Sequence, residues 1–221
     1  MEKLKLFLFA LATTALLYSC ETKRQEGGSE GSGQGQGFEE ETTNDVNDLA
    51  EDPVDNAEEA NENKFESNSA ASDAEFMVEA AEGGMFEVEA ARLAQSKASS
   101  QKVKDFAMHM EKEHSKANDE LKALAAQKNV TLPKTLSNDK MEKIQELTNL
   151  SGTEFDKEYM DIMVEDHKKD VNTFESEAKG ETQGEVEAWA AKTLPVLQNH
   201  LEMAKQTKDE VDNLGGNNNN L

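Results

Sequence analysis

Apolar residues recur every three or four positions through four long stretches in the second half of the chain, a period that predicts amphipathic helices. In the clearest stretch the repeat runs through Val103, Ala107, Met110, Ala117, Leu121 and Leu124. One position of that face is polar, because His114 lies four residues after Met110 and three before Ala117. A buried polar side chain costs free energy unless it has a partner, so we expect His114 to have one in the core.

Caps and turn residues divide this part of the chain into helices over 73–98, 100–128, 138–149, 153–179 and 183–213. Pro195 falls inside the last helix and is expected to kink it or to free a carbonyl. Only 5% of the residues are aromatic and three are Pro, which argues against a β-sandwich. We therefore expect an all-α domain, an antiparallel four-helix bundle with one extra short helix.

Each long helix carries one polar residue on its apolar face, namely Glu87, His114, His167 and His200. Counted from the connecting turns at about 1.5 Å per residue, Glu87 and His114 lie at similar heights, whereas His167 and His200 differ by about 7–8 Å. One layer of the bundle can thus collect three imidazoles and a carboxylate. This ligand set suits a divalent transition metal such as zinc, iron or copper.

Two interpretations of this layer stay open from the residues alone. In the first, the four residues bind a metal, and Asp166, Glu113 or Glu111 accept hydrogen bonds from the imidazoles. In the second, the layer holds no metal, and paired His and Glu side chains specify the helix register. His109 lies off the apolar face and is expected to be solvated.

Catalytic motifs find little support. Glu111-x-x-His114 matches half of the signature of di-iron helical bundles, which needs the motif on two helices. Val164 and Leu197 stand where a second glutamate would be required. We therefore predict no catalytic residues and rank a metal-dependent oxidoreductase below both a metal-binding protein and a non-catalytic structural or interaction module.

The first twenty residues look like a targeting segment. Lys3 and Lys5 precede an apolar run over residues 6–17, and Leu17-Tyr18-Ser19-Cys20 follows. This ending resembles a bacterial lipobox, which implies removal of residues 1–19 and lipidation of Cys20. An ordinary signal peptide with an incidental cysteine is the alternative. We favour the lipoprotein, because the cysteine falls where the apolar run stops.

Residues 20–72 are predicted to be a disordered linker, since they are Gly-rich and then acidic with few large apolar residues. A weak helix near residues 45–62 stays open as the one structured segment within it. The linker is either a tether that holds a domain away from a membrane or tolerated filler. Residues 214–221 are expected to form a disordered tail. The net charge is −23 and no basic cluster occurs, which excludes nucleic acid as a partner. The lipid on Cys20 makes a membrane the expected partner, and the sequence names no protein partner.

Several blocks of the sequence resemble those of one protein family and occur in the same order. They are the blocks that begin at Gly83, Val103, Glu113, Leu150 and Leu194, together with His167. With these blocks the chain resembles, over roughly residues 74–208, a ferritin-like family of bacterial envelope proteins catalogued as domain of unknown function 4142. The resemblance implies a ferritin-like four-helix bundle, here over residues 73–213. It also implies export to the cell envelope, where we expect a lipid-anchored protein at the outer membrane.

Overall fold

The computed structural model describes residues 52–180 and 184–216, and side chains up to residue 213. These residues form six helices: α1 (Pro53–Glu62), α2 (Asn68–Lys97), α3 (Gln101–Lys128), α4 (Asn138–Asn149), α5 (Gly152–Ala178) and α6 (Glu185–Gly216). No β-strand occurs in this part of the chain, which confirms the all-α prediction. None of the described helices is both long and apolar enough to cross a membrane.

Local capping explains most helix ends. Ser67 and Ser137 each accept a hydrogen bond from a backbone N–H in the first turn of α2 and α4, as N-cap residues typically do. Asn129 ends α3 in the left-handed conformation, with a φ of 59°. The α6 helix continues through Pro195 and reaches Gly216, so residues 214–216 of the expected tail are helical. Residues 217–221 lie outside the described residues.

The helical region starts earlier than the sequence indicated. We expected a disordered linker up to residue 72 with a weak helix left open near residues 45–62. Residues 53–62 do form a helix, α1, and α2 begins at Asn68. Asn61 is 4% exposed and exchanges two hydrogen bonds with the backbone of Thr131, at 2.9 and 2.8 Å. This amide pair ties α1 to the loop before α4. The expected signal peptide, Cys20 and the linker up to residue 51 lie outside the described residues.

The helices surround two buried apolar clusters. The α2 helix packs against α3 and α5, and α6 packs against α5 and α3, whereas α4 contacts α2 and α5. The first cluster, here the Tyr159 cluster, includes Phe86, Phe106, Met110, Phe155, Tyr159 and Met163. The second, the Trp189 cluster, includes Phe76, Leu121, Leu124, Phe174, Val186 and Trp189. Burial of these side chains supplies the main driving force for folding.

Candidate metal centre

The structure brings the four predicted polar residues together in one layer between the two apolar clusters. On α3, His114 falls between Met110 of the Tyr159 cluster and Leu121 of the Trp189 cluster. On α5, His167 likewise falls between Met163 and Phe174. Glu87 on α2 and His200 on α6 complete the layer, and none of the four is more than 4% exposed. Apolar packing on both sides therefore shields the layer from solvent.

The three histidines converge through specific ring nitrogens. Nε2 of His114 lies 3.3 Å from Nε2 of His167 and 3.2 Å from Nδ1 of His200. A tetrahedral metal with metal–nitrogen bonds of about 2.0–2.1 Å holds its nitrogen ligands about 3.3 Å apart. The two observed separations match that value, and the three side chains form a group close enough to share one ion.

Hydrogen bonds at the other ring nitrogens set two of the tautomers. Nδ1 of His167 donates to the carbonyl of Met163 at 2.9 Å, and Nδ1 of His114 donates to Glu87 Oε2 at 2.6 Å. In the neutral imidazoles both Nε2 atoms then carry a lone pair. Two lone pairs that face each other at 3.3 Å repel unless a cation or a proton lies between them, so the arrangement favours a shared positive ligand.

Glu87 has a different position from the one that the sequence predicted. We expected its carboxylate among the metal ligands; the structure places it at the Nδ1 atoms of His114 and His167, outside the group of converging nitrogens. Oε2 accepts from His114, and Oε1 lies 3.3 Å from Nδ1 of His167. A carboxylate bonded to the far nitrogen of a ligating histidine orients the ring and makes it a stronger ligand.

Burial and charge in the layer favour the neutral forms of His167 and His200 and the ionised form of Glu87. Burial, followed by the positive charges of His114 and His167, lowers the pKa of His200 to about 3. Burial also lowers the pKa of His167. For Glu87, burial acts to raise the pKa, but the adjacent imidazoles outweigh it and lower the pKa. Neutral imidazole is the form that binds metals.

A second carboxyl group approaches the layer from α5. Asp170 is half-buried, and its pKa is raised well above the usual range by burial, then by the negative charges of Glu87 and Asp166, and by a hydrogen bond with Glu87. These causes favour the protonated form of the Asp170 carboxyl. A cavity of about 20 Å³ lies beside this pair, bordered also by Gly84 and Asn118, and it has room for about one water molecule.

The other carboxylates that we predicted as imidazole partners have cationic partners instead. Asp166 pairs with Lys140 at 3.2 Å, and Glu111 pairs with Arg92 at 2.7 Å. Glu113 lies 3.3 Å from the ammonium of Lys112. These predictions failed because helical spacing determines only the face on which a residue lies. A long side chain can reach several neighbours from that face, and the spacing does not say which one it contacts.

Sequence reasoning also missed two groups close to the layer. His109 is half-buried rather than fully solvated, and its ring centroid lies 5.4 Å from that of His200. The hydroxyl of Tyr159 is buried and has no hydrogen-bond partner among the described residues. Burial, followed by the negative charge of Glu87, raises the pKa of this phenol. The three-residue step between Phe106 and His109 was the only sequence signal that related His109 to the core.

A separate acidic group joins the ends of three helices. Asp73 of α2, Glu177 of α5 and Glu187 of α6 have carboxylate oxygens within 4.8 Å of one another. Glu187 also accepts a hydrogen bond from the backbone of Gly184 at 2.9 Å. Burial, followed by the charges of Asp73 and Glu187, raises the pKa of Glu177 from 4.5 to about 7.

Comparison with known proteins returns one match. The model of a family described as a domain of unknown function (DUF4142) matches residues 54–207. The match starts one residue after the first residue of α1, so it includes the helix that the sequence reasoning assigned to the linker. Neither the search of curated proteins nor the search of solved structures finds a match.

Proposed function

Because the chain belongs to the DUF4142 family, whose description names no activity, we propose its function from the buried layer itself. The protein binds one divalent transition metal through Nε2 of His114, Nε2 of His167 and Nδ1 of His200. Zinc, iron and copper all accept imidazole ligands of this kind. Glu87 orients His114 from the outer side and balances part of the metal charge.

The convergence of the three nitrogens is the observation that supports this proposal. Separations of 3.3 and 3.2 Å between them suit a tetrahedral ion, and each ring belongs to a different helix. Three protein ligands leave one tetrahedral position open for a small ligand. The ring positions are preorganised by packing on both sides and by the hydrogen bonds of Met163 and Glu87.

Storage, sensing or protection fits the layer better than turnover of an organic substrate. His114, His167 and His200 are 4%, 0% and 1% exposed. The cavity that reaches Glu87 and His114 has a volume of only about 20 Å³, which admits a water molecule but not a metabolite. Enzyme sites for small molecules are usually clefts of several hundred Å³.

For the architecture we propose a ferritin-like four-helix bundle formed by α2, α3, α5 and α6. The packing of α2 on α3 and α5, and of α6 on α5 and α3, supports it, because each helix then has two neighbours around a shared interior. The observed ring of contacts also explains how one residue from each of the four helices reaches the same layer. A solution structure with another arrangement of these helices would refute this proposal.

For the location we propose a lipid-anchored protein of the bacterial cell envelope, at the outer membrane, with Cys20 as the lipid site. The apolar run that ends in Leu17-Tyr18-Ser19-Cys20 supports it. Cells that express the full chain should incorporate an alkyne-labelled fatty acid into it, and Cys20→Ser should lose both the label and the membrane association. Equal membrane association of the two proteins would refute the lipid anchor.

Metal analysis tests the proposed function directly. The full chain, purified without a metal-binding tag, should contain about one transition-metal ion per chain or take up one equivalent of Zn²⁺, Fe²⁺ or Cu²⁺. The His114→Ala/His167→Ala variant should bind none at the same concentration. If the wild type stays empty after all three titrations, the layer is a metal-free network of His and Glu, and the protein is a structural or interaction module of the envelope.

A further inference from the structure

His200 has a second ring nitrogen that the buried layer does not use. Nδ1 faces His114, but Nε2 is buried and has no hydrogen-bond partner among the described residues. The residue as a whole is only 1% exposed. A buried nitrogen of this kind costs free energy that a ligand would recover.

The ring of His109 lies next to the ring of His200. The centroids of His109 and His200 are 5.4 Å apart, with an interplanar angle of 83°. Within the layer the centroids are 5.0, 5.3 and 5.5 Å apart. Two imidazoles on one tetrahedral metal have centroids about 5 Å apart. The His109–His200 centroid distance therefore falls in the range of the layer's own, although no nitrogen of His109 lies within hydrogen-bond distance of Nε2 of His200.

His109 also lies between the buried layer and the solvent. It is half-buried, and its neighbour Met108 is 49% exposed. The layer itself is sealed by the Tyr159 and Trp189 clusters on its two sides. A metal that reaches the layer must displace protein atoms somewhere, and an imidazole near the surface lowers the cost by replacing lost water ligands.

We propose that His109 and Nε2 of His200 form an entry site, at which a divalent transition metal binds before it passes to the three nitrogens of the layer. This inference rests on the proposed function, since an entry site has no role in a protein without a metal. His109 is a positioning ligand on the route and is not a ligand of the final site.

The tautomer of His200 decides whether its lone pair is available to the entry site or to the layer. With its proton on Nδ1, His200 donates to Nε2 of His114 at 3.2 Å and keeps its lone pair on Nε2. With the proton on Nε2, it presents the Nδ1 lone pair to the layer. A neutral His200 thus offers a lone pair on only one side of its ring at a time.

Cobalt(II) exchange tests the entry site. Stopped-flow absorbance would follow Co²⁺ uptake by the full-length chain, and competition with a chelator would follow its release. His109→Gln removes the imidazole at similar size, and Met108→Gln is the matched control at the adjacent exposed position. We expect His109→Gln to slow uptake and release by the same factor, at least tenfold, with an unchanged Kd, whereas Met108→Gln should change neither rate.

Uptake and release that slow by the same factor indicate a group that acts only on the route. Such a group leaves the free energies of the metal-free and metal-bound protein unchanged, so the Kd stays the same. Wild-type rates in His109→Gln would overturn the entry site and leave the proposed function intact. A weaker Kd with unchanged uptake would also overturn it, by making His109 a ligand of the final site. Failure of the wild type to bind Co²⁺ or Zn²⁺ would refute the proposed function, and the entry site with it.

Discussion

Glu87 Oε2 lies 2.6 Å from Nδ1 of His114, and both residues are at least 96% buried. This contact fixes which nitrogen of His114 carries the proton, so Nε2 points a lone pair at His167 and His200. In the proposed metal site, the carboxylate thereby determines which nitrogen of His114 would ligate, without itself being a ligand. A carboxylate in this role raises the basicity of the imidazole that it holds.

Replacement of Glu87 by Gln should weaken metal binding without abolishing it. The amide oxygen can still accept from His114, but the negative charge that favours the cation is lost. Loss of such an outer partner typically costs about 10–100-fold in metal affinity, and competitive titration with a Zn²⁺ chelator would measure it. Glu89→Gln, on the exposed side of the same helix, should leave the affinity unchanged. Equal affinities of the two variants would contradict the outer role of Glu87.

Zinc should raise the melting temperature of the wild-type protein. At a free concentration one hundred times the Kd, a ligand that binds only the native state adds about 2.7 kcal/mol to the free energy of unfolding. For a domain of this size the gain corresponds to a shift of about 5–11 °C, measurable by differential scanning calorimetry. His109→Gln should show the full shift, and His114→Ala/His167→Ala should show none. A shift of equal size in the double variant would mean that zinc acts at the acidic surface instead.

Helical periodicity was enough to select the four residues of the layer, because a side-chain face follows from local spacing alone. It was not enough to say which atoms of Glu87 and His114 meet, since that depends on how α2 and α3 pack. The nearness of His109 to His200 escaped prediction for the same reason. His109 lies five residues before His114, roughly 140° around the helix, and only the position of α6 brings the two rings together.

Composition left the start of the domain open, because a weak helix near residues 45–62 stood beside the expectation of a disordered linker. Residues 53–62 are acidic and carry few large apolar side chains, a composition typical of a disordered segment. Their order comes from contacts that are distant in sequence, such as the pair between Asn61 and Thr131. Asp52 also accepts a hydrogen bond from the backbone of Asn138 at 3.0 Å. Contacts of this kind cannot be inferred from a short stretch of sequence.

Two adjacent glycines of α2 should respond in opposite ways to replacement by Ala. A Cβ at Gly83 would meet only Asp170 Oδ1, at 3.8 Å, whereas a Cβ at Gly84 would lie 2.1 Å from Asn118 Oδ1 and 3.0 Å from its Cγ. Gly83→Ala should stabilise the protein by about 0.5–1 kcal/mol through helix propensity. Gly84→Ala should destabilise it by about 1–3 kcal/mol through overpacking. Urea unfolding would measure both, and equal effects would contradict the close contact with Asn118.

Asp156 should be the most sensitive carboxylate outside the layer. It is 1% exposed and accepts hydrogen bonds from the backbone N–H groups of Ser99 and Ser100, both at 2.9 Å, and from the Ser99 hydroxyl. Asp156→Ala leaves these donors at the start of α3 unpaired and should cost about 3 kcal/mol. Asp161→Ala, which removes an exposed pair with Lys208, should cost at most about 1 kcal/mol. Similar costs in urea unfolding would contradict the capping role.

The acidic group around Glu177 should make stability fall as the pH rises. The folded pKa of Glu177 is about 7, against 4.5 without the protein environment, so the folded state holds the proton more tightly between these values. Its favourable contribution is complete below about pH 4.5 and is lost as the pH rises through about 7. Glu177→Gln keeps a neutral group, so its melting temperature should exceed that of the wild type more at pH 8 than at pH 5. Asp73→Asn removes one of the charges that raise the pKa and should shrink this pH dependence. A constant difference between Glu177→Gln and the wild type from pH 5 to pH 8 would contradict the raised pKa.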